Sequence, residues 1–335
     1  MGKTKKIRGL IVGMTLLALI VAGCGGGEKQ PAAKTQEKYP TGPITVIVSF
    51  APGGGTDLGA RMLLPHAEKD LGVPMTVVNK SGGGGWVGWN DLLSAKTDGY
   101  TIAYINTPNL MTGYLNPSVK RNKSLNDFEV LANHVVDYGA LAIRPNEKRF
   151  TNIKEMLEYA KTNEVTCTTT GPASDDHIAL LKINKAFGTK LVAVHTKGAA
   201  EGKSSVMGGH IDVYAANVGE VTIPHKDKEL KAIGILSPER TKFLPDVPTL
   251  DESGYKGIYS WSARGLAAKK GISSEQRDKL VAAFEKAMKN PEHIKKMEEM
   301  GLEVKFLKGQ DYIKLLKADE DGVRSVFDLL GWDKK

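Results

Sequence analysis

From residue 44 onward the chain repeats one local unit: a short β-branched run, a turn, then a stretch of helical period. ITVIVSF (44–50), MTVVN (75–79), TIAYIN (101–106), VTCTTT (165–170), KLVAVHT (190–196), IDVYAAN (211–217) and LKAIGIL (230–236) read as strands, with similar content at 140–144. Residues 57–71, 86–95, 151–162, 175–187, 200–208, 273–289 and 309–328 read as helices. A chain so patterned buries its apolar residues by laying helices on the faces of a sheet. The expectation is therefore an α/β fold with mostly parallel strands. At 335 residues there is enough chain for two such cores. Thr151, Ser174 and Ser273 or Ser274 are the expected helix caps, and Pro65 is expected to kink the first helix or end it early.

The first residues carry a different signal. Residues 1–23 hold Lys3, Lys5, Lys6 and Arg8, no acid, and an apolar run over 10–22. That run is short for a spanning helix and reads as a secretory signal. It closes on Val21-Ala22-Gly23-Cys24, small residues before a cysteine as in a bacterial lipobox, so Cys24 is expected to become the lipidated N-terminus. Residues 24–41 are rich in Gly, Pro and Lys and read as a flexible tether. The only other cysteine is Cys167, expected to be a small core residue and not a nucleophile.

The net charge is +8, half of it from the signal. The remainder suits an anionic ligand or membrane surface. No dense basic helix or aromatic–basic motif points to nucleic acid. The seven histidines are scattered along the sequence and there is no CxxC or HExxH, so no metal is expected.

Two places can hold an anion. In the first, strand 44–50 runs through Phe50-Ala51-Pro52-Gly53-Gly54-Gly55-Thr56-Asp57 into a helix. The first helical amides have no internal partner and the macrodipole adds positive potential there. Thr56 or Asp57 is a candidate cap for that helix. The second is Thr170-Gly171-Pro172-Ala173-Ser174-Asp175-Asp176-His177, after strand 165–170. Two such helix starts, facing each other, can clamp one carboxylate. A third glycine run spells GxGxxG at Gly83, Gly85 and Gly88. It supports the rival reading, an exported nucleotide-dependent oxidoreductase, but it follows the second strand where the dinucleotide fingerprint follows the first. Trp86 and Trp89 edge this loop, with core packing or a pocket wall as the alternatives. His177 and His195 read as structural or pocket-lining.

Several segments in order, YPTGPITVIVSFAPGGGTDLGAR, VVNKSGGGGWVG, KTDGYTIAYIN, GPASDDHIAL, HTKGAAE, GGHIDVY, LPDVPTLDESGY and RGLAAKKGISSEQRDKL, closely resemble the TctC or Bug family. These are the extracytoplasmic solute receptors of tripartite tricarboxylate transporters. The resemblance implies a type II periplasmic-binding-protein fold: two α/β domains around a ligand cleft, at 42–142 plus 259–335 and at 143–258. It implies an exported, lipid-anchored monomer without cofactor or catalysis. The receptor would take a small organic carboxylate and deliver it to the large and small membrane subunits. The ligand-facing residues it implies are Phe50, Ala51, Gly53, Gly54, Gly55, Thr56 and Asp57 in the first loop and Gly84, Gly85 and Trp86 in the glycine run. Asn106, Thr107, Thr169, Thr170, Gly171, Ser174, His177, Gly198, Asn217 and Arg264 complete the set. Ala173, where the family usually has glycine, Arg264, where an aromatic is commoner, and Pro65 depart from the pattern. Arg264 is read as a clamp for a second carboxylate or as a hinge or ion-pair residue. A ligand sensor without a transporter is the remaining alternative.

Overall fold

The computed structural model describes residues 39–333; the signal segment, Cys24 and nearly all of the tether lie outside the described residues. The elements run β1 (Ile44–Val48), α1 (Gly55–Leu71), β2 (Met75–Asn79), α2 (Trp86–Ser94), β3 (Thr101–Asn106), α3 (Asn109–Leu115) and β4 (Phe128–Ile143). Then come α4 (Ile153–Thr162), β5 (Val165–Thr169), α5 (Asp175–Phe187), β6 (Leu191–His195), α6 (Ala199–Met207), β7 (Val213–Asn217), α7 (Val218–Lys226) and β8 (Lys231–Leu236). The chain closes with β9 (Trp261–Lys269), α8 (Ser274–Met288), α9 (Pro291–Glu299), β10 (Val304–Lys308) and α10 (Gly309–Arg324).

Local chemistry sets most boundaries. Ser174 accepts from His177 N–H at the start of α5, and Ser273 and Gln276 form a reciprocal capping box on α8. Gly72 and Gly188, both in left-handed backbone, close α1 and α5. One expectation fails here, and one of two alternatives for Pro65, an early end to α1, is excluded. Asn152, not Thr151, caps α4; Thr151 instead donates to the Glu155 carboxylate through its N–H and hydroxyl. α1 also runs past Pro65 to Leu71, because its buried face, Leu63, Leu64 and Ala67, is packed into a core that holds the helix through the missing hydrogen bond.

The strands lie in the order β2-β1-β3-β9-β4-β7-β5-β6, with β8 and β10 also paired to β4. β2, β1 and β3 are parallel, as are β6, β5 and β7. Every pairing of β4 and the β3–β9 pairing are antiparallel, so the sheet is mixed, not mostly parallel. β4 joins the two parallel groups. Its residues 128–138 pair with β9, while 139–143 pair with β7 and β8. Sequence periodicity marks only the end of this strand because buried polar residues interrupt the rest. Asn133 donates to Lys305 C=O, and His134 and Asp137 have the partners described below. Apolar cores form beneath both groups. One gathers Ile44, Val46, Leu63, Tyr104, Leu266 and Phe284; another gathers Phe150, Ile153, Leu157, Cys167, Ile183 and Leu250. Cys167 is fully buried, and burial pushes its thiol far up, as a core residue requires.

The histidines are scattered in sequence only. His134 and His293 hydrogen-bond through their Nε2 atoms at 2.9 Å, with Tyr104 Oη on His134 Nδ1 and Met62 C=O on His293 Nδ1. Met62 C=O can only accept, so the chain reads Tyr104 O–H to His134 to His293 to Met62 with both rings neutral. Burial pushes His134 well below the usual range and His293 down to about 4. Among the described residues no histidine, cysteine and acid cluster is arranged to hold a metal. No helix among them is long and apolar enough to cross a membrane.

Candidate functional site

The first loop ends β1 and starts α1 through a left-handed Gly53. The first helical bond runs from Leu58 N–H to Gly54 C=O, which leaves the amides of Gly55, Thr56 and Asp57 ahead of the ladder. Gly54 is the cap residue; neither Thr56 nor Asp57 fills that role. Asp57 sits at the third helical position. Its buried carboxylate accepts from Gly53 N–H, Arg61 and Asn79, and Asn79 also donates to Phe50 C=O. Burial alone would raise the Asp57 pKa, but the hydrogen bonds from Arg61, Gly53 and Asn79 outweigh it and lower it. Asp57 therefore braces the loop from behind.

The second loop is built by the same logic with different pieces. Gly171 and Ala173 both take positive φ, Ser174 caps α5, and Asp176 accepts from the N–H and hydroxyl of Thr170. Ala173 N–H donates to His177 Nδ1, so that ring nitrogen is an acceptor. Burial, then the neighbouring His195, lowers the pKa of His177 to about 4.

These loops meet at a small pocket of about 40 Å³. The starts of α1, α5, α6 and α7 all border it, through Gly54–Thr56, Asp175, Gly198–Ala200 and Asn217 with Glu220. Glu220 ties two of these starts together, accepting from Gly55 N–H at 3.2 Å and from Asn217 N–H at 3.1 Å. Arg264, on β9, forms the floor. Its Nη2 donates to Asn217 Oδ1 at 2.9 Å and lies 3.1 Å from Asp137 Oδ2, with Glu220 at 3.7 Å. Gly55 has no room for a side chain there: a Cβ would stand 2.1 Å from Arg264 Nη1. Burial raises Asp137 to about 7 against the pull of Arg264, and burial also raises Asp175 and Asp176.

A larger cavity of about 990 Å³ adjoins the pocket and shares Phe50, Asn109 and Thr170 with it. Gly82–Gly85, Gly171–Ala173, His177, His195, Arg121, Leu329, Leu330 and Trp332 are among its walls. Of the expected site residues, Phe50, Ala51, Gly54, Gly55, Thr56, Asn106, Thr170, Gly198, Asn217 and Arg264 line the small pocket, and Gly84, Gly85, Gly171 and His177 line the large cavity. Gly53, Asp57, Trp86, Thr107, Thr169 and Ser174 line neither. Trp86 is core, its indole donating to Leu110 C=O. Thr107 Oγ1 accepts from Ala263 N–H, and Thr169 bonds His195. Sequence reasoning missed Glu220, Asp137 and Arg121, whose partners are set only by the fold. The glycine run that favoured an oxidoreductase follows β2, an edge strand. Its glycines serve conformation and packing: Gly82–Gly85 all have positive φ, and a Cβ at Gly85 or Gly88 would strike Trp89 or Ser49 at 2.5 Å.

This architecture is that of periplasmic solute-binding proteins. The solved structure of the periplasmic binding protein BugD matches with a TM-score of 0.80 at 28% identity, over 89% of this chain and 100% of that one. A Rhodopseudomonas palustris protein solved with adipate matches with a TM-score of 0.81 at 20% identity, over 88% and 98% of the two chains. The family model for the tripartite tricarboxylate transporter family receptor matches residues 60–329, and the chain belongs to that family. A Cupriavidus necator relative, known as the UPF0065 protein in the gbd 5′ region, is 28% identical over 307 residues, 91% of this chain and 92% of that protein.

Proposed function

We propose that this receptor seats a carboxylate of a small organic anion where α1, α5, α6 and α7 begin, and passes that anion to the large and small membrane subunits of a tripartite transporter. The observation that carries the reading is the convergence of those helix starts on one pocket beside a much larger cavity. Backbone N–H groups and helix dipoles favour an anion without requiring a free cationic side chain. The adipate held by the R. palustris neighbour fits the same chemistry. On this reading residues 42–142 with 259–335 and residues 143–258 move as two domains about the crossing strands. Cys24 carries a lipid that holds the exported monomer at the outer face of the cytoplasmic membrane. No step of catalysis is involved.

The test is thermal unfolding of the purified protein against citrate, succinate, malate, adipate, glutamate and terephthalate. A ligand at about a hundred times its Kd stabilises by roughly 2.7 kcal/mol, which at this size raises Tm by about 5–10 °C. A shift with one or two acids supports the reading. Turnover of any of them, or nicotinamide-dependent absorbance change, would replace it with the enzyme reading. Mass spectrometry of the membrane-extracted protein reads the lipid on Cys24 directly.

A further inference from the structure

The described arginines divide into two kinds. Arg61, Arg144, Arg149, Arg240, Arg264, Arg277 and Arg324 each pair with a carboxylate. Arg121 pairs with none among the described residues. It lines the large cavity, away from the small pocket, and its position is built. Nε donates to Gly113 C=O at 3.1 Å, and Cζ stands 4.1 Å from the centre of the Trp86 ring. Trp86 is itself buried, and it reaches this place only because residue 113 is glycine: a Cβ there would stand 1.8 Å from the indole nitrogen. The guanidinium is thus held by its Nε edge and one face. No protein acceptor among the described residues takes its terminal nitrogens. A planar fork fixed in this way is suited to bidentate capture of a carboxylate. The other walls of the cavity include Phe50, Val119, Leu181, Leu329, Leu330 and Trp332, which offer apolar surface in the cavity that Arg121 lines.

We propose that Arg121 is a second anion subsite, which reads the far carboxylate of an extended organic dianion whose near carboxylate sits at the helix starts. The inference rests on the receptor reading above and deepens it: the ligand class becomes a diacid with an apolar middle. Arg264, the earlier candidate for the second carboxylate, lines the small pocket itself: its Nη2 serves Asn217 and Asp137, and its buried Nη1, with no hydrogen-bond partner among the described residues, belongs with the near carboxylate.

The experiment is calorimetric titration of the purified protein with succinate, adipate and azelate, and with butyrate, hexanoate and nonanoate as matched monoacids. Wild type, Arg121→Gln, Arg121→Lys and Lys197→Gln are compared, the last as a control on an exposed lysine of the same cavity. The expected result is that Arg121→Gln weakens the preferred diacid by roughly ten- to a hundredfold and leaves its matched monoacid unchanged. Arg121→Lys should retain part of the preference and Lys197→Gln all of it. Equal losses for diacid and monoacid, or no loss for either, overturn the subsite while leaving the receptor intact. If no acid of either kind binds the wild type, the carboxylate reading falls and the subsite falls with it. Should Arg121→Gln fail to fold, Arg121→Lys carries the same comparison.

Discussion

Arg264 and Arg121 occupy adjoining pockets and are built in opposite ways. Arg264 is buried, with Asp137, Glu220 and Asn217 arranged about it. Arg121 is half-buried, with an aromatic face, a backbone carbonyl and no acid. A guanidinium whose charge is answered inside the fold contributes to architecture. One whose charge is left unanswered at a cavity wall is available to a ligand. The same side chain therefore separates the part of the site that holds the elements together from the part that discriminates among solutes.

The largest expected effect tests that separation. Arg264→Gln leaves Asp137 and Glu220 facing each other without a counter-charge, and stability should fall by about 3–5 kcal/mol. Arg121→Gln removes a cation–π contact and one hydrogen bond to a backbone carbonyl from a half-buried side chain and should cost about 1–2 kcal/mol. Urea unfolding of the two variants measures both; similar losses would erase the distinction. Next, Gly55→Ala drives a methyl onto Arg264 Nη1 and should destabilise by about 1–3 kcal/mol through displacement of the guanidinium.

A pH profile sharpens the contrast from the acid side. Burial raises the Asp137 carboxyl from 3.8 to about 7, so the native state keeps a proton that the unfolded chain has already released. Stability contributed by this group is present at low pH and declines as pH rises through the interval from 3.8 to about 7. Asp137→Asn should flatten that decline in Tm measured across the same interval. His293 slopes the other way: its pKa is lowered from 6.5 to about 4, and its contribution is lost as pH falls between those values. The difference between variant and wild type, rather than the raw profile, isolates Asp137. The smallest effect belongs to Ala173, whose left-handed backbone a glycine adopts without strain. Ala173→Gly should change stability by about 0–1 kcal/mol in the favourable direction, the relief being partly offset by a more flexible unfolded chain.

What could be read from the sequence follows from how local the chemistry is. The loops at 50–57 and 170–177 were legible because glycines, a capping serine and a strand-to-helix transition lie within a few residues. The α/β class was legible because strand and helix periods recur over most of the chain, and the family because an ordered series of motifs from residue 39 onward resembles it. Asp137 and Glu220 were not, since nothing in their own segments marks them as partners of Arg264. Arg121 was hidden differently. It stands in SVKRNKS (118–124), which reads as a solvated charged run, and α3 before it is too short and too rich in Thr and Gly to give a helical period. Only the packing of Trp86 against Gly113 gives that arginine a fixed surface to lie on.

β4 also has a consequence for how the molecule comes apart. Residues 128–138 of this strand are laddered to one group of strands and 139–143 to the other. Melting either group strips pairing from a segment the other group still needs. Amide hydrogen exchange should therefore find the protons of β4 among the slowest in the chain, released only by global opening, and calorimetry should find one cooperative transition spanning both apolar cores.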